Sequence, residues 1–278
     1  MVQLLRSDRA QVTPPASPTH TGPPAAGGDP HAGGWLTRWN IAAGHFFFKY
    51  RNAVFPAVIA VTVLALRPGV ILSPTADAWL VRCGAVLALI GQAVRLGTIG
   101  FEYIERGGKE GKVYASRLVT GGIYAHTRNP MYVGNSLIAI GISMYVGAPV
   151  AYLAILPLFL FIYQAIVSAE EAYLRRRFGR EYDAYCAAVP RFLPALGGIR
   201  LTLTSGRYSW KRAVRQDLST FVALLLGLTL LPVWRTFFLD GLAAARRLLP
   251  RSLVLTALIL AGYGFGIWLK KTKRLLTD

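Results

Sequence analysis

The sequence predicts an all-α integral membrane protein of about six transmembrane helices, followed after the fourth by a cytoplasmic amphipathic helix. Three observations carry this. Windows of nearly unbroken apolar residues reach membrane-spanning length. Hydrophobic residues make up 54% of the 278 positions and charged residues only 16%, far from the composition of a soluble domain. The formal net charge of +18 is gathered between and after the apolar windows. Basic residues placed there suit topology and contact with anionic lipid, so nucleic acid is not expected as a partner.

Residues 1–34 are rich in Pro, Gly and Thr and lack the apolar content to fold, and they contain no early apolar core of a cleaved signal peptide. Spans are expected near 53–72, 79–99, 131–147, 151–169, 217–235 and 252–269. Gly147-Ala148-Pro149 separates the third from the fourth and predicts a tight helical hairpin. Pro232 is expected to interrupt the fifth span. Residues 35–198 read as a core, and 199–278 as a basic linker with two C-terminal helices. Arg and Lys crowd the segments 106–128, 175–215 and 270–274, which fall on one side if both termini are cytoplasmic; that orientation, in a prokaryotic inner membrane, is the expectation. Arg235, Arg246, Arg247 and Arg251 would then lie in an outward-facing loop, against the positive-inside tendency.

The densest chemistry lies at Thr120-Gly-Gly-Ile-Tyr-Ala-His-Thr-Arg-Asn-Pro-Met-Tyr-Val-Gly134, where a basic segment meets an apolar one. Asn129 and Pro130 read as N-cap and first residue of a helix. The free N–H groups of its first turn, at the positive end of the helix dipole, suit an anion. A second cluster holds Glu170-Glu171-Ala-Tyr-Leu174, Phe178-Gly179, Tyr182 and Tyr185. A plainer reading stands beside each: Tyr124 and Tyr132 as interfacial aromatics, Glu170 and Glu171 paired with Arg175 at a helix exit, Leu174 to Tyr185 as packing residues.

The order and spacing of the two clusters resemble the isoprenylcysteine carboxyl methyltransferase and phospholipid methyltransferase superfamily. Its pattern runs roughly Leu-Val-x-x-Gly-Pro-Tyr-x-x-x-Arg-His-Pro-x-Tyr-x-Gly, then Glu-Glu-x-x-Leu-x-x-x-Phe-Gly-x-x-Tyr-x-x-Tyr. Leu118, Val119, Gly122, Tyr124, Arg128, Pro130, Tyr132, Gly134 and the whole second block match; Ile123 and Asn129 replace the usual proline and histidine. The resemblance covers about residues 80–195.

It implies S-adenosyl-L-methionine as cofactor and a lipophilic acceptor reached from the bilayer. In that frame the N–H groups after Asn129 and Pro130 hold the cofactor carboxylate and Glu171 its ammonium. Tyr124 and Tyr132 offer ring faces to the sulfonium or adenine, and Leu118 and Val119 contact the adenine. Glu170 is the candidate proton acceptor. Arg95, a charge inside an apolar helix, requires a partner or a function. It either pairs with Glu102 or grips an acidic acceptor. Carboxyl-methylating relatives carry an Arg about one turn before the Glu pair, but here that turn reads Ile166-Val-Ser-Ala169. Methylation of an isoprenylcysteine-like carboxylate is the reading the resemblance favours; methylation of a phospholipid amine is the alternative within the superfamily. A non-catalytic membrane scaffold or carrier retaining the fold is the alternative of another class. Cys83, Cys186 and the four histidines are scattered, so neither a disulfide nor a metal site is expected.

Overall fold

The computed structural model describes residues 34–70, 73–102 and 112–272; the expectation of an unfolded N-terminal tail falls on residues outside these. Among the described residues the chain is helical, without strands. Seven helices follow one another: α1 (Trp35–Ala65), α2 (Pro74–Phe101), α3 (Pro130–Val146), α4 (Leu156–Phe178), α5 (Arg180–Ala188), α6 (Ile199–Ser205) and α7 (Trp210–Lys271). A 3-10 turn, Gly122–Ala125, precedes α3, and a π turn, Ala151–Ile155, leads into α4. Three helical stretches are long and apolar enough to cross a bilayer: Pro74–Phe101, Ala151–Phe178 and Trp210–Lys271. The protein is an integral membrane protein. The count of six spans does not follow, because α3 has only 17 residues and α1 begins at Trp35, well before the expected position 53.

Local chemistry explains the helix ends. The Ser73 hydroxyl accepts from the Ala76 N–H at 3.2 Å and Pro74 takes the first turn, which starts α2. Gly147, at φ 64° and ψ 35°, closes α3 in the left-handed conformation that glycine adopts without strain. The chain then reverses into α4, forming the expected hairpin.

Helices α2 and α3 pack backbone to backbone. Gly84 faces Gly141 and Gly91 faces Gly134; a Cβ on any of the four would lie 2.5–2.7 Å from a carbonyl oxygen of the opposite helix. Each pair is spaced by seven residues, two turns, which keeps both glycines on one face. Gly134, a residue of the first motif, also clears space for Arg95, whose Cγ would be 2.7 Å from its Cβ. Helix α1 lies against α4, with Phe55 stacked on Phe159 at 5.6 Å between ring centroids.

In α7 the break falls at Gly241 (φ 84°, ψ 178°), and Pro232 sits within continuous helix. The two arms, 210–240 and 242–271, fold back on one another, with Gly266 beside the Leu218 side chain. Arg235 is not in an outward-facing loop. It is buried in the first arm, forms an ion pair with Asp77 of α2 and donates through Nη1 to the Val146 carbonyl at 2.9 Å. That bond satisfies an orphan carbonyl at the end of α3 and removes one cation from the unfavourable side of the charge balance.

Candidate active site

A cavity of about 460 Å³ opens among α1, α2, α3, α4, α5 and the segment before α3. Phe48, Arg51 and Phe55 reach it from α1, Arg95 from α2, and Tyr132 and Asn135 from α3. Tyr163, Glu170 and Leu174 line it from α4, Tyr182 and Tyr185 from α5. Leu118, Val119, Tyr124, Asn129 and Met131 complete the wall nearest the polar segment. Of the sequence-derived candidates, Glu171 and Pro130 are not on this wall; Pro130 is fully buried at the start of α3.

Adjacent carboxylates on a helix point about 100° apart, and the two glutamates accordingly do different things. Glu170 faces the cavity, where the Tyr132 hydroxyl donates to its Oε1 at 2.7 Å. Glu171 faces away and joins the two motif clusters. Arg191 contacts its Oε2 at 2.8 Å, Arg128 lies 3.6 Å from its Oε1, and the Asn129 amide donates to that oxygen at 3.3 Å. Neither glutamate pairs with Arg175, whose guanidinium meets Asp183 at 2.8 Å instead.

Asn129 does not cap α3 with its side chain. Its Nδ2 donates to Glu171 and, at 3.1 Å, to the Arg191 carbonyl, so a long-range hub outcompetes the local cap. The N–H groups of Tyr132 and Val133 both bond the Asn129 carbonyl oxygen at 3.0 Å. Since Pro130 has no N–H, the row of donors expected for an anion shrinks to that of Met131.

Further bonds bind the first motif to the segment after α5. The Arg128 N–H donates to Pro190 O at 2.9 Å, and Tyr185 Oη donates to Tyr124 O at 2.7 Å. His126 Nδ1 donates to Ala195 O at 2.8 Å, which leaves Nε2 to accept from the Thr202 hydroxyl at 2.8 Å. Burial holds the Tyr182 and Tyr185 hydroxyls well above the ordinary tyrosine range, partly offset at Tyr185 by the nearby Arg128. Both are neutral donors at physiological pH.

Arg95 does not pair with Glu102, which is met instead by Arg117 at 3.1 Å. Its partner is Asp217 of α7, fully buried, which accepts from both Nε (3.2 Å) and Nη2. Gln92 donates to the same carboxylate at 2.7 Å, Thr220 accepts from Nη2 at 3.3 Å, and Asn135 Oδ1 accepts from Nη1. Arg95 thus stands on the cavity wall with its charge matched by Asp217.

Similarity to known proteins covers part of the cavity wall and omits its α1 residues. Residues 79–181 match the model of the family described as phospholipid methyltransferase. A protein-S-isoprenylcysteine O-methyltransferase from Schizosaccharomyces pombe is 44% identical over 80 residues, 28% of this chain and 34% of the relative. A probable protein-S-isoprenylcysteine O-methyltransferase from Oryza sativa subsp. indica is 30% identical over 116 residues, 40% of this chain and 59% of the relative. These matches support the resemblance to the isoprenylcysteine carboxyl methyltransferase and phospholipid methyltransferase superfamily over that part of the chain. The nickel-cobalt-cadmium resistance protein NccN of Alcaligenes xylosoxydans xylosoxydans is 28% identical over 158 residues, 56% of this chain and 70% of the relative. The chain spans about a third of the length of the fission-yeast relative and about three-fifths of the rice one. No solved structure matches it.

Among the polar residues at or behind the cavity that lie outside the superfamily motifs are Arg51, Asn135 and Asp217. Asp217 ends the basic stretch Lys211-Arg-Ala-Val-Arg-Gln-Asp217, so nothing local marks it as the partner that the lone charge of Arg95 requires. Arg51 follows the stretch Phe46-Phe47-Phe48-Lys49-Tyr50 and lies over the Phe48 ring at 4.2 Å. Nothing local distinguishes Asn135.

Proposed function

We propose that the protein is a membrane methyltransferase that moves the methyl group of S-adenosylmethionine to a lipophilic acceptor. The observation that carries this reading is the cavity-facing Glu170, held by Tyr132 between a polar, motif-lined end and an aromatic, membrane-side end. The donor set fits the cofactor. Glu170 offers a carboxylate to an ammonium, the start of α3 a donor to a carboxylate, the rings of Tyr124 and Tyr132 faces for a sulfonium, and Leu118 and Val119 an apolar slot. When bound, the cofactor supplies an electrophilic methyl group, transferred by in-line displacement without a covalent intermediate. The protein's contribution is orientation and exclusion of water, worth on the order of 7–11 kcal/mol when donor and acceptor are held in line. Glu171 serves the cofactor indirectly, by fixing Asn129 and the segment around Arg128. The cofactor enters from the cytoplasmic face, where the basic segments lie, and the acceptor enters between helices from the bilayer.

For the acceptor we favour a carboxylate of the isoprenylcysteine type, the chemistry named in the fission-yeast and rice relatives. Holding that carboxylate in a buried cavity calls for a cation or hydrogen-bond donors near it. Arg51, whose charge acts on both Glu170 and Tyr132, supplies one from α1, where relatives place an Arg before the Glu pair. Methylation of a phospholipid amine is the second reading: the matching family carries that name, and Glu170 could take the amine proton. A non-catalytic carrier would retain the cavity without turnover.

The test is calorimetry with S-adenosylhomocysteine on the protein in nanodiscs, then mass spectrometry of lipids incubated with S-adenosylmethionine. Binding together with a methylated prenylcysteine supports the reading. Absence of cofactor binding in folded protein sinks it, and binding without any methylated product leaves the carrier.

A further inference from the structure

The bonds around Arg95 determine which way Asn135 faces. Arginine offers only donors, so the atom of Asn135 that meets Nη1 is its oxygen. The carboxamide NH2 is thereby turned away from Arg95. Asn135 stands on the cavity wall, and no hydrogen bond among the described residues uses its Nδ2. Nor is that nitrogen among the buried side-chain atoms without a partner. It is a reachable donor.

Its depth selects which ligand it can meet. Asn135 follows Tyr132 by three positions, on the same helix face. It lies roughly 9 Å further along α3 than Asn129, at 1.5 Å per residue, and so toward the membrane end of the cavity. Its neighbours on the wall are Arg95 and, from the facing helix α4, Tyr163. The orientation is enforced from outside the segment that matches the family. Asp217 holds the guanidinium through two nitrogens, Gln92 steadies the carboxylate, and Thr220 takes a further N–H. The Arg95 side chain can lie there because Gly134 has no Cβ.

Resting on the methyltransferase reading above, we propose that Asn135 binds the acceptor, its NH2 donating to an oxygen of a carboxylate-bearing lipophilic molecule, and that Asp217 is the positioning residue that sets this orientation through Arg95. A donor aimed at this end of the cavity accepts a carboxylate oxygen and gives nothing to an ammonium group. The amine of a phospholipid would meet a donor with a donor. The C-terminal helix thus takes part in acceptor choice without touching the acceptor.

The experiment uses the full chain in nanodiscs with two probes, an N-acylated prenylcysteine and phosphatidylethanolamine, each measured with saturating S-adenosylhomocysteine. Asn135→Asp keeps the shape and the bond to Arg95 but replaces the donor by an acceptor. It should weaken prenylcysteine binding about tenfold or more, the loss of one hydrogen bond to a charged group, while S-adenosylhomocysteine affinity stays within about twofold. Asp217→Asn should raise KM for the prenylcysteine more than it lowers kcat, with cofactor affinity again preserved, a split that mere loss of stability does not produce. Unchanged prenylcysteine binding in Asn135→Asp, equal loss of both ligands, or wild-type preference for phosphatidylethanolamine would each overturn the proposal. Failure of wild-type protein to bind S-adenosylhomocysteine overturns the underlying reading instead. Asn135→Asp decides the matter even if Asp217→Asn does not fold.

Discussion

Glu170 and Glu171 are neighbours in sequence with separable duties, and substitution should separate them. Glu170→Gln retains a partner for the Tyr132 hydroxyl. It should leave folding intact and weaken S-adenosylhomocysteine binding about tenfold or more, the loss of a charged partner for the cofactor ammonium. Glu171→Ala leaves Arg128 and Arg191 without their shared carboxylate. Removing one partner of a charged, part-buried hub costs about 1.5–3 kcal/mol, which should appear as roughly tenfold weaker S-adenosylhomocysteine binding by calorimetry. Unchanged affinity in folded Glu171→Ala protein would remove this glutamate from the cofactor's support. Tyr185→Phe deletes the bond to Tyr124 O and should cost about 1 kcal/mol of thermal stability at neutral pH. Burial raises the folded hydroxyl's pKa above the unfolded value near 10, so the wild type's advantage is complete below about pH 10 and fades above it. Stability scans of both proteins across pH 7–11 check the sign.

Among the helices, α2 is the hub, closed on α3 by glycine and on α7 by charge. Gly91→Leu or Gly134→Leu cannot be accommodated without parting α2 from α3, since even a Cβ would fall within 2.6–2.7 Å of the opposing backbone. Either should abolish detergent-stable protein, whereas Gly97→Leu, with nothing within 4 Å of its Cβ position, should be tolerated. Size-exclusion profiles after extraction read this directly. The Asp77–Arg235 pair is buried at the far end of α2 from Arg95. Arg235→Leu strands Asp77 and should cost about 3–5 kcal/mol, while the Asp77→Leu, Arg235→Leu double variant should recover much of it. Chemical denaturation of the four proteins in detergent measures the coupling. A double variant no more stable than Arg235→Leu alone would mean the pair does not couple the two helices.

At the scale of the whole molecule, the basic segments and the polar end of the cavity share one face. In a Cys83→Ser, Cys186→Ser background, cysteines placed at Ser116 and Thr204 should react with a membrane-impermeant maleimide only from the cytoplasmic side. Labelling of either from outside would invert the orientation and with it the cofactor's route. The 242–271 arm exposes Leu253, Leu258 and Phe265, apolar surface suited to lipid contact.

The all-helical class, the membrane environment, the hairpin at Gly147 and the two motif clusters were all readable in the sequence. Each rests on local pattern: hydropathy over a window, a turn residue, or spacing along one helix. Tertiary structure decided which groups meet. Arg95 finds its carboxylate 122 residues away, in Asp217, rather than in nearby Glu102. Asn129 gives up a local cap for Glu171 and Arg191, and Arg235 leaves a supposed loop for Asp77. Helical periodicity tells that Glu170 and Glu171 point apart, but only the packing of α1 and α3 against α4 turns Glu170 inward. The reason is common to all of these. A buried charge in an apolar surround must be matched by whichever opposite charge or donor the fold brings within about 3 Å. That distance is a property of helices already packed, and no window of sequence contains it.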